Sequence, residues 1–126
     1  MRKNKIRRIS VFLAAAAAFL LSDTAAGGKK DAGTMDAGRI EAESAANAGA
    51  NIMTVLGTAP QSTIRECVEV GRHYGIKVAV DLIGVPDPVA FAGRAGEMGV
   101  DCLNVHCAID AQMLGEDPMA LLKQIT

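Results

Sequence analysis

The sequence predicts an α/β domain of about three βα units with parallel strands. Three short apolar runs alternate with segments of helical length, and a glycine stands shortly before each run. Gly49, Gly75 and Gly99 are 26 and 24 residues apart, the length of one strand, one loop and one helix. Each glycine occupies the position where a helix commonly ends in a left-handed residue. This alternation implies right-handed crossovers in a parallel sheet, either closed as a barrel or open and doubly wound.

The apolar runs and the helix start signals place the elements. The predicted strands are residues 52–56, 78–83 and 102–107. Short apolar runs of this kind are typical of parallel strands covered by helices. The predicted helices are residues 37–48, a segment ending at Tyr74, and two segments starting at Pro88 and Pro118. Asp87 and Asp117 each offer a side-chain acceptor at the N-cap, with proline at the first helical position. Thr58 or Ser62 is the predicted cap of the helix that ends at Tyr74.

Ionisable side chains are predicted at the ends of two neighbouring strands. The period of two places Asp81 opposite the face of Val80, and it places Asn104 and His106 opposite the face of Leu103. The carboxyl ends of parallel strands are where α/β proteins bind ligands. An aspartate beside a histidine there favours proton transfer or metal-assisted chemistry on a small polar substrate. The alternative is structural: Asp81 caps a loop N–H, and His106 is a core histidine bonded to a backbone carbonyl.

Composition excludes several other classes of protein. Aromatic residues make up only 3% of the chain, which disfavours a nucleic-acid surface built on stacking rings. Residues 11–126 contain 8 basic and 14 acidic residues, a formal charge of −6, which argues against a polyanionic partner. The three cysteines, Cys67, Cys102 and Cys107, are odd in number and lack CxxC spacing. They are therefore predicted to be buried, reduced thiols rather than a disulfide framework or a zinc site.

The first thirty residues form a separate leader and linker in this interpretation. Five basic residues precede an uncharged apolar run at 11–21, and small residues follow it, as in a secretory signal peptide. An Ala-rich helix produced by a frameshift, a fusion or a wrong start site is the alternative. Residues 27–30 (GGKK) are typical of a flexible joint, so the domain is predicted to comprise residues 31–126.

Two strings carry a specific resemblance. TMDAGRIEAE at residues 34–43 and VDLIGVPDP at residues 80–88, with Asn104, His106 and Asp110 beyond them, resemble 3-hexulose-6-phosphate synthase. That family belongs to the orotidine-phosphate-decarboxylase-like barrels. The resemblance implies an incomplete (β/α)8 TIM-type barrel and a homodimer with active sites at the interface. It also implies a cytoplasmic, Mg²⁺-dependent lyase that adds formaldehyde to ribulose 5-phosphate through an enediolate in the ribulose monophosphate pathway. Export or membrane tethering through residues 1–26 is the alternative location.

The resemblance also assigns roles to residues. Asp31, Gly33 and Asp36 correspond to the family's D-x-K-x-x-D motif, so Asp31 is expected to bind the metal and, with Asp36 and His106, to be catalytic. Asp81 corresponds to a carboxylate that contacts substrate hydroxyls. Gly33 replaces the motif lysine, which the family uses on the enediolate. Only the third to fifth barrel units have counterparts, so impaired activity and exposed sheet edges that favour self-association are expected.

Two other functions are compatible with the sequence. A 3-keto-L-gulonate-6-phosphate decarboxylase shares the frame and the enediolate, but it uses an arginine three positions after the histidine, where this chain has Ile109. The other function, suggested by the leader together with Gly33, is a non-catalytic, self-associating barrel fragment.

Overall fold

The computed structural model describes residues 37–126, which contain five helices and three strands. In chain order they are α1 (Ala37–Asn47), β1 (Ile52–Leu56), α2 (Gln61–Tyr74), β2 (Lys77–Asp81), α3 (Pro88–Met98), β3 (Cys102–Asn104), α4 (Ile109–Met113) and α5 (Pro118–Ile125). The predicted leader at residues 1–30 lies outside the described residues. No helix within residues 37–126 is long and apolar enough to cross a bilayer.

The strands form one parallel sheet in the order β1-β2-β3, as predicted. Leu56 pairs with Asp81 at the carboxyl end, and Asp81 pairs in turn with Asn104. The predicted second and third strands were too long at their carboxyl ends. β2 ends at Asp81 because the chain then turns through Gly84, whose φ is +70°. β3 ends at Asn104, so the apolar residues after it lie in a loop.

One face of the sheet is buried by the helices. Along β1, Met53 and Val55 are buried, whereas Ile52 and Thr54 are exposed. The hydrophobic core is therefore formed by the helix-facing sides of the strands together with α1, α2, α3 and α5. Its main members are Val55, Ile64, Cys67, Val70, Val78, Val80, Phe91, Ala95 and Leu103. The other face carries both polar and apolar side chains. A parallel sheet with helices on one face has the arrangement of part of a barrel wall.

The ends of the helices confirm most of the predicted signals. Gly75 and Gly99 end α2 and α3 in the left-handed conformation, with φ of 73° and 88°. The Asp87 side chain accepts a hydrogen bond from the N–H of Ala90, and Asp117 caps α5 in the same manner. The predicted cap of α2 was wrong. The residue before α2 is Pro60, and no side chain caps the first turn of this helix. The chain enters α2 from a turn that is closed by the hydrogen bond from the Ala59 N–H to the Leu56 carbonyl.

Asp101 joins the amino ends of β2 and β3. Its Oδ2 accepts the N–H of Val78 at 2.9 Å, and its own N–H donates to the Val78 carbonyl at 3.0 Å. β3 starts only at Cys102, so its backbone does not accept the Val78 N–H, and the Asp101 carboxylate accepts it instead.

We predict that Asp101→Ala lowers the free energy of unfolding by about 1–3 kcal/mol, because it leaves the Val78 N–H without its acceptor. Urea denaturation followed by circular dichroism measures the change. Glu97→Ala, on the exposed face of α3, is the control and should change stability by less than about 0.5 kcal/mol. Equal denaturation midpoints for the two variants would contradict the role given to Asp101.

Candidate active site

Three polar side chains meet at the carboxyl ends of β2 and β3. Nδ1 of His106 lies 3.1 Å from Oδ2 of Asp81, and Nδ2 of Asn104 donates to the same oxygen at 3.0 Å. The parallel register places Asp81 beside Asn104, and the two residues that follow carry the chain round to His106. The structure thus brings together the two ionisable residues that the strand pattern placed on one rim.

Asp81 is held on both of its oxygens. Oδ1 accepts the N–H of Ile83 at 2.9 Å, which closes the turn after β2, while Oδ2 faces Asn104 and His106. Its side chain is only 13% exposed. The structural alternative for Asp81 is therefore also correct, since the carboxylate does cap a loop N–H. That bond fixes the carboxylate in the orientation that presents Oδ2 to the histidine.

His106 is not a core histidine. Its side chain is 49% exposed, and its ring bonds a carboxylate rather than a backbone carbonyl. The reason is that β3 ends at Asn104, so His106 lies in the loop above the sheet instead of within a strand. Among residues 37–126, Nε2 makes no hydrogen bond, and the side chain that carries it is half-exposed. A histidine oriented by a carboxylate through one nitrogen can exchange a proton through the other.

Gly57 allows the loops at this rim to approach closely. It follows β1 directly, and its N–H donates to the Asp81 carbonyl at 2.8 Å. A Cβ at this position would lie 2.7 Å from Cγ2 of Val85 and 3.0 Å from the Asp81 carbonyl oxygen. The loop after β2 can therefore pack against β1 only if residue 57 lacks a side chain. Sequence reasoning missed both Gly57 and the bond made by Asn104, although the alternation had placed Asn104 on the correct face.

The cysteines differ from the prediction in their burial. All three are free thiols, but only Cys67 is buried, whereas Cys102 and Cys107 are partly exposed. Cys107 lies in the loop after β3, 3.5 Å from Oε2 of Glu116. Loss of hydration raises the pKa of the Cys107 thiol. The hydrogen bond to Glu116 and the negative charges of Glu116 and Asp117 raise that pKa further.

The predicted motif residues Asp31, Gly33 and Asp36 lie outside the described residues. Within residues 37–126, no group of three His, Cys, Asp or Glu side chains is arranged to hold a metal ion. Asp81 and His106 are two such side chains, and no third joins them among the described residues.

Residues 30–116 match the orotidine 5'-phosphate decarboxylase / HUMPS family. The chain belongs to this family. Among curated members, a 3-hexulose-6-phosphate synthase of Methylomonas aminofaciens is 41% identical over 96 residues, which are 76% of this chain and 46% of the relative. One from Mycobacterium gastri is 40% identical over 65% of this chain and 40% of the relative.

A solved member of the family has the same fold. The crystal structure of 3-hexulose-6-phosphate synthase from Salmonella typhimurium superposes with a TM-score of 0.64 at 37% identity, over 75% of this chain and 45% of that one. The three-stranded sheet is thus part of the family barrel. The chain spans less than half the length of the relatives it matches.

We predict that Gly57→Ala displaces the loop at residues 82–87 and lowers the free energy of unfolding by about 1–3 kcal/mol, because the new methyl group overlaps Val85. Thermal unfolding measures the loss of stability, and amide chemical shifts report the displacement of the loop. Gly93→Ala is the matched control: a Cβ there would meet no neighbouring atom within 4 Å, and alanine favours helix α3. A Gly57→Ala protein as stable as the Gly93→Ala protein would contradict the close approach.

We predict that Glu116→Gln increases the alkylation rate of Cys107 severalfold at about pH 8. A raised thiol pKa reduces the thiolate fraction, and removal of the nearby charge lowers that pKa. Iodoacetamide labelling followed by peptide mass spectrometry measures the rate at each cysteine. Cys102 in the same protein is the internal reference. Equal acceleration at Cys102 and Cys107 would mean that the substitution loosens the fold rather than removing a local charge.

Proposed function

We propose that this chain forms the central part of the active site of an aldehyde-lyase of the 3-hexulose-6-phosphate synthase type. The reaction is the aldol addition of formaldehyde to ribulose 5-phosphate. The hydrogen bond between Asp81 and His106 at the sheet rim is the observation that carries the proposal. The similarity to relatives that bear this name, at about 40% identity, supplies the substrate class.

His106 is the proton-transfer group in this proposal. The aldol addition removes a proton from the carbon next to the ketone of the sugar phosphate and delivers a proton to the formaldehyde oxygen as the carbon–carbon bond forms. Nε2 of His106 belongs to a half-exposed ring and makes no hydrogen bond within residues 37–126, which suits one of these transfers. Asp81 orients the ring through Nδ1, in addition to its predicted contact with substrate hydroxyls. Asp36 is proposed to be catalytic together with Asp31. In a homodimer, Asp36 would reach into the active site of the partner subunit.

Magnesium is proposed as the cofactor, held by Asp31. Carboxylate oxygens are the protein ligands that Mg²⁺ prefers, and the described residues supply no competing cluster. When bound, the ion would supply positive charge to stabilise the enediolate oxygens. The described residues contribute the orientation of His106 and the rim on which the sugar lies. A cytoplasmic location is proposed with this function.

A decarboxylase of the related 3-keto-L-gulonate-6-phosphate type is less well supported. Ile109 stands where that enzyme has an arginine, and this residue is 74% exposed at the start of α4. An apolar side chain at this position offers no charge to a substrate carboxylate.

We predict that the natural chain consumes ribulose 5-phosphate and formaldehyde more slowly than about 1 per second, the lower end of the usual range of enzymes. The reason is that Gly33 replaces the motif lysine. Gly33→Lys should raise formaldehyde-dependent consumption of ribulose 5-phosphate at least about tenfold, as expected for a restored group that acts on the transition state. His106→Gln in the Gly33→Lys protein should remove the gain.

The control for this rescue is Gly28→Lys, which adds the same charge outside the motif. A gain from Gly28→Lys as large as that from Gly33→Lys would point to a general charge effect. No formaldehyde-dependent turnover in any of these proteins would overturn the proposed reaction. Assay of the same proteins with 3-keto-L-gulonate 6-phosphate tests the decarboxylase in parallel.

A further inference from the structure

Asn104 contacts the Asp81–His106 pair through the carboxylate of Asp81. It is the last residue of β3, and the register places it directly beside Asp81. Its Nδ2 donates to Oδ2 of Asp81, the same oxygen that lies 3.1 Å from Nδ1 of His106. Its carbonyl also accepts the N–H of Leu82 at 3.0 Å, so both its backbone and its side chain bond the end of β2.

The donors around Asp81 fix the rotation of its carboxylate, and the carboxylate sets the direction of the bond to His106, because its oxygens can only accept. The backbone N–H of Ile83 can only donate, and it bonds Oδ1. The amide nitrogen of Asn104 also can only donate, and it bonds Oδ2. Each oxygen thus accepts a bond from a fixed donor, and the carboxylate acts as an acceptor throughout. The contact between Oδ2 and His106 is then satisfied only if the ring donates from Nδ1.

We infer that Asn104 is a positioning residue that acts through Asp81 to keep the proton of neutral His106 on Nδ1, which leaves Nε2 as the basic nitrogen at the rim. The role of Nε2 in proton transfer rests on the proposed function. The tautomer itself is a property of the chain alone. Without the Asn104 amide, Asp81 loses one of the two fixed donors that hold its oxygens, and its side chain gains freedom to rotate away from the ring.

The tautomer can be read directly by ¹⁵N NMR of the full chain, without substrate or metal. At about pH 9 imidazole is neutral, and the shifts of Nδ1 and Nε2 show which nitrogen carries the proton. His73 is the other histidine of the chain and serves as an internal reference, since it lies at the end of α2 beside Tyr74. We expect His106 of the natural chain to carry its proton mainly on Nδ1.

Asn104→Leu keeps the approximate shape of the side chain and removes the donor. Without the amide, Asp81 can rotate away and release the bond from Nδ1 of His106. We therefore expect the ratio of the Nδ1–H to the Nε2–H form to fall about tenfold, the effect of one net hydrogen bond, and the His73 shifts to stay unchanged. Asn104→Ala is a second variant with less bulk at the rim. Asn47→Leu, at the exposed end of α1, is the matched control and should leave the ratio at His106 unaltered.

Two results would overturn the inference. One is a natural chain in which Nε2 of His106 carries the proton. The other is an unchanged ratio in Asn104→Ala or Asn104→Leu when the His73 shifts show an intact fold. Failure of the proposed function is distinguishable from both, because a chain with the expected tautomer and no turnover contradicts only the reaction. Turnover by a chain that lacks the tautomer preference contradicts only the role of Asn104.

Discussion

The pairing of Asp81 with Asn104 in the β2–β3 register is the constraint on which the rest of the candidate site depends. It places the carboxylate and the amide side by side on the open face of the sheet, and the bond from Leu82 N–H to the Asn104 carbonyl secures the pairing at its last position. A slip of one residue would turn Asn104 toward the helices and Leu103 toward the rim. The burial of Leu103 in the core opposes such a slip, so the hydrophobic effect that closes the fold also aligns the polar groups.

Two carboxylates stabilise opposite ends of the same strand pair, and their surroundings give them different chemistry. Asp101, at the amino end, accepts a backbone N–H, and its bond stabilises the sheet. Asp81, at the carboxyl end, also accepts a backbone N–H, yet its second oxygen faces a half-exposed histidine. This difference between the two carboxylates arises from the topology. Short turns connect each helix to the amino end of the next strand, whereas longer loops follow the carboxyl ends and leave room for a ligand there.

The repeat could be predicted from sequence because its signals are local. Left-handed glycines, Asp-Pro helix starts and apolar runs each act over a few residues, and the structure confirms Gly75, Gly99, Asp87 and Asp117 in those roles. The ends of β2 and β3 could not be predicted, since they depend on where the neighbouring strand stops pairing. The close approach of Gly57 to Val85 could not be predicted either, because it joins loops that lie far apart in sequence. The roles of Asp31 and Asp36 stay predictions from the resemblance.

The arrangement around His106 needs only two adjacent strands and the turn that follows each of them. Its members come from residues 81–106, and every bond among them is set by the β2–β3 register or by a turn of a few residues. In the proposed enzyme, by contrast, a metal carboxylate from Asp31 would come from another segment, and a substrate phosphate would need donors that converge from several loops. Proton-transfer geometry is therefore the most local part of such an active site, whereas the binding of substrate and metal is its most distributed part. If the proposed function is correct, loss of orientation at His106 and loss of affinity for the sugar phosphate would be separable effects that arise from different regions of the sequence.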